Sequence, residues 1–261
     1  MKTLTEGLAL QSQGGGAFSA FADPAFEANT GMFGGWTAAI LLKAALAGEE
    51  ATGTPTALAV NFIKRVDPGA TIRIRTALLG GGKSLRHWRA EILGADEALC
   101  AAASVVTATR RDSDRFVERK RPDAPDPLSL PLFHPPGPFG DSVDVRPVYG
   151  FPPYRRPDTR TISFIRDQHG APVDWTRLAY FSDVAPPRVF LIGDAPRPSS
   201  TITLSVNFYA TQDELTAVGA NFLLSEVVGI RAEASVWGHA MTLWSPDGVI
   251  LATSEQLGWF R

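Results

Sequence analysis

Apolar and polar residues alternate through much of this chain, most cleanly from Ser200 to Tyr209, which reads Ser-Thr-Ile-Thr-Leu-Ser-Val-Asn-Phe-Tyr. That alternation predicts a strand with Ile202, Leu204, Val206 and Phe208 on one face and Thr201, Thr203, Ser205 and Asn207 on the other. A near-copy lies far upstream: Leu58-Ala59-Val60-Asn61-Phe62 matches Leu204-Ser205-Val206-Asn207-Phe208. Two matching strands of this kind suggest one fold written twice.

The surrounding pattern extends the repeat. In the first half, Gly14-Gly15-Gly16 marks a turn before a weakly alternating strand, Ala17 to Phe21. Gly34-Gly35 precedes a run from Trp36 to Leu46 that is apolar nearly all round and rich in helix formers, with Gly48 as its stop. This predicts a helix buried on most of its surface. Strands are predicted at Leu58 to Val66, Thr71 to Leu79, Arg86 to Leu93 and Leu99 to Ala108, with turns at Asp67-Pro68-Gly69 and Gly94-Ala95-Asp96-Glu97.

The second half restarts with strands at Val143 to Val148 and Thr159 to Arg166, then a helix from Trp175 to Asp183 ended by Pro186-Pro187. Strands follow at Thr201 to Tyr209, Phe222 to Val228, Ser235 to Trp244 and Val249 to Trp259, the last two joined by Ser245-Pro246-Asp247-Gly248. Between the halves, charges crowd Arg110 to Arg121 and prolines recur from Pro122 to Pro138, predicting a linker extended over the surface. The reading is α+β: a first unit over 1–120, a linker over 121–140 and a second unit over 141–261. Each unit is a strongly bent antiparallel sheet holding one helix.

Composition narrows the function. The 261 residues are 44% hydrophobic and 20% charged, globular values that let each half bury a core. A formal charge of −2 supplies no basic excess for a nucleic acid. The lone Cys100 sits in an apolar run and reads as an inert buried thiol. The first residues lack the apolar core of a signal peptide, and no stretch reaches the ~18 apolar residues of a membrane span. A soluble, cytoplasmic protein without membrane insertion is the expectation.

The two copies differ in an informative way. Matching Asn61 to Asn207 sets Pro55 opposite Thr201. Matching Asp96 to Asp247 sets Val105 opposite Gln256, and matching Trp36-Thr37 to Trp175-Thr176 sets Ala44 opposite Asp183. The second half thus carries a carboxylate, a hydroxyl and an amide where the first is apolar. Buried polar groups without partners cost about 1–3 kcal/mol each, so three together need a reason. Singly, Asp183 could finish a helix, Thr201 could be an ordinary strand residue and Gln256 could face water. Together they mark a site.

Around these residues the chain resembles the acyl-CoA thioesterase II family, whose double hot-dog fold wraps antiparallel sheet around a long central helix in each of two units. Tyr180-Phe181-Ser182-Asp183, Ser200-Thr201-Ile202 and Thr253-Ser254-Glu255-Gln256 resemble the segments that carry that family's catalytic Asp, Thr and Gln. Met32-Phe33-Gly34-Gly35 and Val143-Asp144-Val145-Arg146-Pro147-Val148 belong to the same resemblance, while Thr203 stands where the family often has Asp and Thr211 to Ala220 looks lengthened.

The resemblance implies hydrolysis of acyl-CoA, a small-molecule substrate, by a positioned water and with no cofactor. Asp183 would be the general base, and Thr201 and Gln256 would orient the water. Backbone N–H groups of Gly34 and Gly35 would bind the thioester oxygen, unless these glycines only permit a close helix–sheet contact. Further association into a homo-oligomer is also an expectation of the family.

Rival chemistries have weaker support. Ala77 to Ser84 fits a relaxed phosphate-loop pattern and Val189 to Asp194 its metal-side strand, but the loop needs a following helix and Arg86 to Ile92 reads as a strand. His87, His134, His169 and His239 show no metal-ligand spacing, and no Gly-x-Ser-x-Gly elbow occurs. A hot-dog hydratase would need a histidine about one helical turn from its aspartate, and the residue five after Asp183 is Arg188. A non-catalytic acyl-CoA or lipid-binding protein is the alternative from another class.

Overall fold

The computed structural model describes residues 2–48, 50–151 and 154–261. The first half runs α1 (Leu4–Gly7), β1 (Gln11–Gly14), β2 (Ala17–Phe21), a short ribbon of β3 (Glu27–Ala28) and β4 (Gly31–Met32), α2 (Gly34–Leu46), then β5 (Thr54–Phe62), β6 (Thr71–Gly81), β7 (Leu85–Leu93) and β8 (Leu99–Ala108). The second half runs β9 (Val143–Tyr149), β10 (Thr161–Asp167), α3 (Trp175–Phe181), α4 (Val189–Ile192), β11 (Ser199–Phe208), α5 (Gln212–Val218), β12 (Leu223–Glu233), β13 (Val236–Trp244) and β14 (Ile250–Phe260).

Helix α2 forms because Ala, Leu, Ile and Lys dominate its length, and it buries Trp36, Ile40, Leu41 and Leu42 almost completely against β5 to β8 and α3. The Trp36 indole N–H donates to Gly7 O at 2.9 Å, so even its polar edge is satisfied. Phe33, which caps the helix, has no side-chain oxygen to offer. The first N–H groups of α2 are therefore left for other acceptors.

The main sheet has twelve strands in the order β1-β2-β6-β7-β8-β5-β11-β14-β13-β12-β10-β9, and every neighbouring pair is antiparallel. Two separate sheets, each around a long helix, do not describe it. The matching strands β5 and β11 pair directly, with Leu204 opposite Val60, Ser205 opposite Ala59 and Val206 opposite Leu58. Ser205 thus faces its own counterpart, and the two halves fuse there into one sheet. Helix α3 has only seven residues, against thirteen in α2, because the chain turns away before Pro186-Pro187.

A bulge corrects the predicted faces of β11. Thr201 pairs with Gly258 and Thr203 with Leu257, leaving Ile202 as the extra residue. Below the bulge, Leu204, Val206 and Phe208 point into the core as the alternation predicts. Above it the phase reverses: Thr201 turns inward and Ile202 outward, 36% exposed. Strand β5 carries a bulge at the corresponding place, between Pro55 and Ala57, so the irregularity itself is repeated.

Element limits shift elsewhere. Strand β5 covers Thr54–Phe62 rather than Leu58 to Val66, and α2 begins at Gly34. Helices α1, α4 and α5 and strand β1 lie where no element was expected. Gly82 to Ser84 connect β6 directly to strand β7, and Val189–Ile192 is helical rather than a strand, so the phosphate-loop reading fails on both elements.

The stretch between β8 and β9 lacks long elements, with short 3-10 turns at Pro127–Ser129 and Pro138–Ser142, and it does more than cross the surface. The Phe133 N–H donates to Val145 O at 2.8 Å, and Phe139 is buried with its ring stacked on Phe33, centroids 4.0 Å apart.

Candidate active site

Each of the three polar residues that distinguish the second half is delivered by a separate element. Helix α3 is anchored by Arg177, a buried guanidinium bonded to Asp167 at 3.0 Å, Asp174 at 2.8 Å and Thr5 at 2.9 Å. Its last turn closes with Asp183 N–H on Tyr180 O at 3.3 Å, which aims the Asp183 side chain back at the start of α2. The β11 bulge turns Thr201 inward, and on the next strand Gln256 lies on the same inner face, opposite Leu204.

The three meet. Gln256 Nε2 donates to Asp183 Oδ1 at 2.5 Å and to Thr201 Oγ1 at 2.6 Å. That amide orientation follows from chemistry, because a carboxylate only accepts and the opposite orientation would set oxygen against oxygen. Both amide hydrogens are then used, and the Thr201 hydroxyl, having accepted one bond, still has its own hydrogen to donate.

The second carboxylate oxygen faces α2. A Cβ on Gly34 would lie 2.5 Å from Asp183 Oδ2, so only glycine leaves this space free. A Cβ on Gly35 would lie 2.4 Å from Tyr180 O, so this glycine lets α2 and α3 approach closely. The Gly35 backbone N–H lies near enough to the Asp183 carboxyl to favour its charged form, and of the two glycines Gly34 lines the adjoining cavity.

Asp183 is 9% exposed, and burial pushes its carboxyl up to about 7, partly opposed by the Gln256 and Gly35 hydrogen bonds. A carboxyl near neutrality inside a cleft can both hold and release a proton at ordinary pH. Across the ladder from Gln256 lies His239, fully buried and pushed down to about 3 by burial and by the nearby Arg188. That imidazole is neutral near pH 7. Cys100 lines the same cavity, but burial raises its thiol pKa and keeps it protonated.

The cavity measures about 370 Å³ and lies between the halves, with Asp183, Thr201, Gln256 and Gly34 in its wall. Lys64 and Arg65 contribute cationic groups, each also paired with a nearby aspartate, Asp96 and Asp67 respectively. Phenylalanines at 33, 62, 133, 139 and 190 make much of the remainder apolar. Those aromatic walls carried no sequence signal, since Phe133 and Phe139 sit in an aperiodic proline-rich stretch.

The first-half counterpart is built differently. Val105 and Ala44 are fully buried there, and Pro55 occupies the place of Thr201. Close to Pro55, the Arg110 guanidinium donates to Thr54 Oγ1 at 3.0 Å, Pro55 O at 3.0 Å, Phe208 O at 2.7 Å and Tyr209 O at 2.9 Å. Arg110→Ala is expected to lower the melting temperature, as about 1–3 kcal/mol of carbonyl bonding is lost. Acyl-CoA hydrolysis should be unchanged, which thermal unfolding and an activity assay check together.

Family models support one activity across both halves: an acyl-CoA thioesterase N-terminal domain matches residues 22–109 and an acyl-CoA thioesterase C-terminal domain matches 118–260. No curated protein matches the chain. Among solved structures, a conserved protein of unknown function with a hot dog fold from Alicyclobacillus acidocaldarius is 29% identical with TM-score 0.93, covering 99% of this chain and 97% of its own. A tesB protein from Mycobacterium avium subs paratuberculosis, 19% identical, gives TM-score 0.83 with coverages of 99% and 98%. Acyl-CoA thioesterase II TesB2 from Mycobacterium marinum, 16% identical, gives 0.78 with the same coverages, and these two likenesses speak for the fold alone. On the two family matches, the chain belongs to the acyl-CoA thioesterase family and is a thioester hydrolase.

Proposed function

We propose that hydrolysis takes place at Asp183, Thr201 and Gln256, with a water as nucleophile and no covalent acyl-enzyme. The observation that carries this reading is the bifurcated Gln256 amide, which holds the carboxylate and the hydroxyl at 2.5 and 2.6 Å. A water set between them donates one hydrogen to Asp183 Oδ2 and accepts the Thr201 hydroxyl hydrogen. One lone pair is left for attack on the thioester carbon.

As the carbon–oxygen bond forms, the water's proton passes to Asp183 and charge builds on the carbonyl oxygen. The Gly34 N–H, unused within the helix, is the donor suited to that oxygen. The neighbouring Gly35 N–H favours the charged form of the base. Collapse of the intermediate breaks the carbon–sulfur bond, and the proton on Asp183 returns to the departing coenzyme A sulfur. The products are a free acid and coenzyme A. Lys64 and Arg65 offer positive charge to the phosphates of coenzyme A.

The same reading treats the chain as two hot-dog units over 1–120 and 141–261 joined by 121–140. Only the second supplies the polar trio. No helix among the described residues is long and apolar enough to cross a membrane. A cytoplasmic, homo-oligomeric enzyme remains the expectation that goes with this reading.

The test is the pH dependence of thiol release from acyl-CoA. Because the working form of Asp183 is the carboxylate, kcat should rise about tenfold per pH unit below 7 and level off above it. Neutral His239 adds no inflection in that range. A flat profile between pH 5 and pH 8 would count against a base of this kind.

A further inference from the structure

We propose that the proline-rich stretch between the halves is the acyl-length selector of this enzyme, with Phe133, Pro135, Pro136 and Phe139 as the wall that limits the chain it accepts. The inference rests on placing the reaction at Asp183, and it assigns these residues a role of their own. All four line the cavity that also holds Asp183, Thr201, Gln256 and Gly34. The Phe139 ring stacks on Phe33, centroids 4.0 Å apart and planes within 6°, and Phe33 immediately precedes Gly34. An acyl chain whose carbonyl is held at Gly34 therefore starts out beside these rings.

A wall can select only if it holds its place. Phe133 is tied by its backbone N–H to Val145 O at 2.8 Å. Phe139 O accepts the Ser142 hydroxyl at 2.7 Å, and that hydroxyl oxygen also meets the Tyr180 hydroxyl at 2.8 Å. His134 Nε2 lies 2.7 Å from Asp141 Oδ1, and the prolines fix their own backbone. The segment is bound at several points to the body it faces.

Size sets the direction of selection. A cavity of about 370 Å³ is small among ligand sites, which run from about 300 to 1,000 Å³. That volume is shared between the acyl group and the sulfur end of the coenzyme A arm. The expected preference is for acyl groups of medium length, with octanoyl as the upper limit. Within that limit each added methylene should raise kcat/KM about fourfold, and beyond it the wall should reverse the trend.

The experiment uses the full chain with butanoyl-, hexanoyl-, octanoyl-, dodecanoyl- and hexadecanoyl-CoA. The profile should climb to octanoyl and then fall. Phe133 is only half-buried, so its variants should fold. Phe133→Ala should raise the dodecanoyl-to-hexanoyl ratio of kcat/KM at least tenfold, and Phe133→Trp should move the optimum to shorter chains. The proposal is overturned if both folded variants keep the unsubstituted profile, or if the unsubstituted protein prefers hexadecanoyl-CoA. Thermal stabilisation by non-hydrolysable thioether analogues of the same lengths reads the wall without turnover. A length break there, with no thiol released from any acyl-CoA, would keep the wall and remove the hydrolytic role of Asp183.

Discussion

Replacing Asp183 by asparagine is expected to lower kcat by a hundredfold or more while the fold persists, the loss that follows removal of a general base. Asparagine still accepts from Gln256 Nε2, so the pairing that locates Thr201 and Gln256 survives the change. What disappears is the capacity to take a proton. The variant should also be more stable than the parent above pH 7. In the folded chain the Asp183 carboxyl titrates at about 7 rather than near 4, so the folded state holds its proton more tightly than the unfolded chain does. Stability from this group is complete below the ordinary carboxylate range and is lost as pH rises through 7, where burial of the charge costs most. Asparagine never carries that charge. Melting temperatures of the two proteins should therefore diverge in favour of the variant at pH 8 and approach each other at pH 5. An active, unaltered variant would take Asp183 out of the mechanism.

Gly34→Ala is the second large effect, a loss of about a hundredfold in kcat/KM from one methyl group, since a misplacement of about 1 Å at a reacting centre has that cost. The added carbon would stand 2.5 Å from Asp183 Oδ2 and 3.4 Å from the Phe62 ring. The carboxylate is held on its other side by Gln256, so it cannot move away without straining that hydrogen bond. Either the base or the helix start shifts. Circular dichroism should show an intact fold, and steady-state kinetics across an acyl-CoA series should show the loss at every chain length, unlike a change in the acyl wall. Wild-type kinetics in this variant would mean that the α2 start lies outside the reaction.

The meeting of the candidate-site residues is more legible in the sequence than the architecture around them. Comparing the repeats picked out Asp183, Thr201 and Gln256 because polar groups replaced Ala44, Pro55 and Val105 at matched positions. Yet the alternation assigned Thr201 to the face opposite Leu204. A bulge adds one residue without altering composition, so strict alternation has no means of registering it. The same limit explains the single sheet: pairing of β5 with β11 joins segments far apart in the chain, and no local period encodes it. Phe133 and Phe139 went unnoticed because proline-rich segments lack the periodicity that marks a buried face. Sequence alone does not separate Gly34 from Gly35; in the fold Gly34 lines the cavity and Gly35 packs against Tyr180 O.

The pairing of Leu58 and Val60 with Val206 and Leu204 also bears on how such a chain could be divided. Cut within the stretch between β8 and β9, each fragment would carry a raw strand margin of nine or ten residues, studded with aliphatic side chains and open amides. Such fragments would stick to one another or to themselves. The base, the hydroxyl and the amide would travel with one piece and Gly34 with the other, so neither could turn over a thioester by itself. Covalent fusion keeps the two complementary edges at high local concentration, and Arg110, bonded to Pro55 O and Phe208 O, clamps the seam between them.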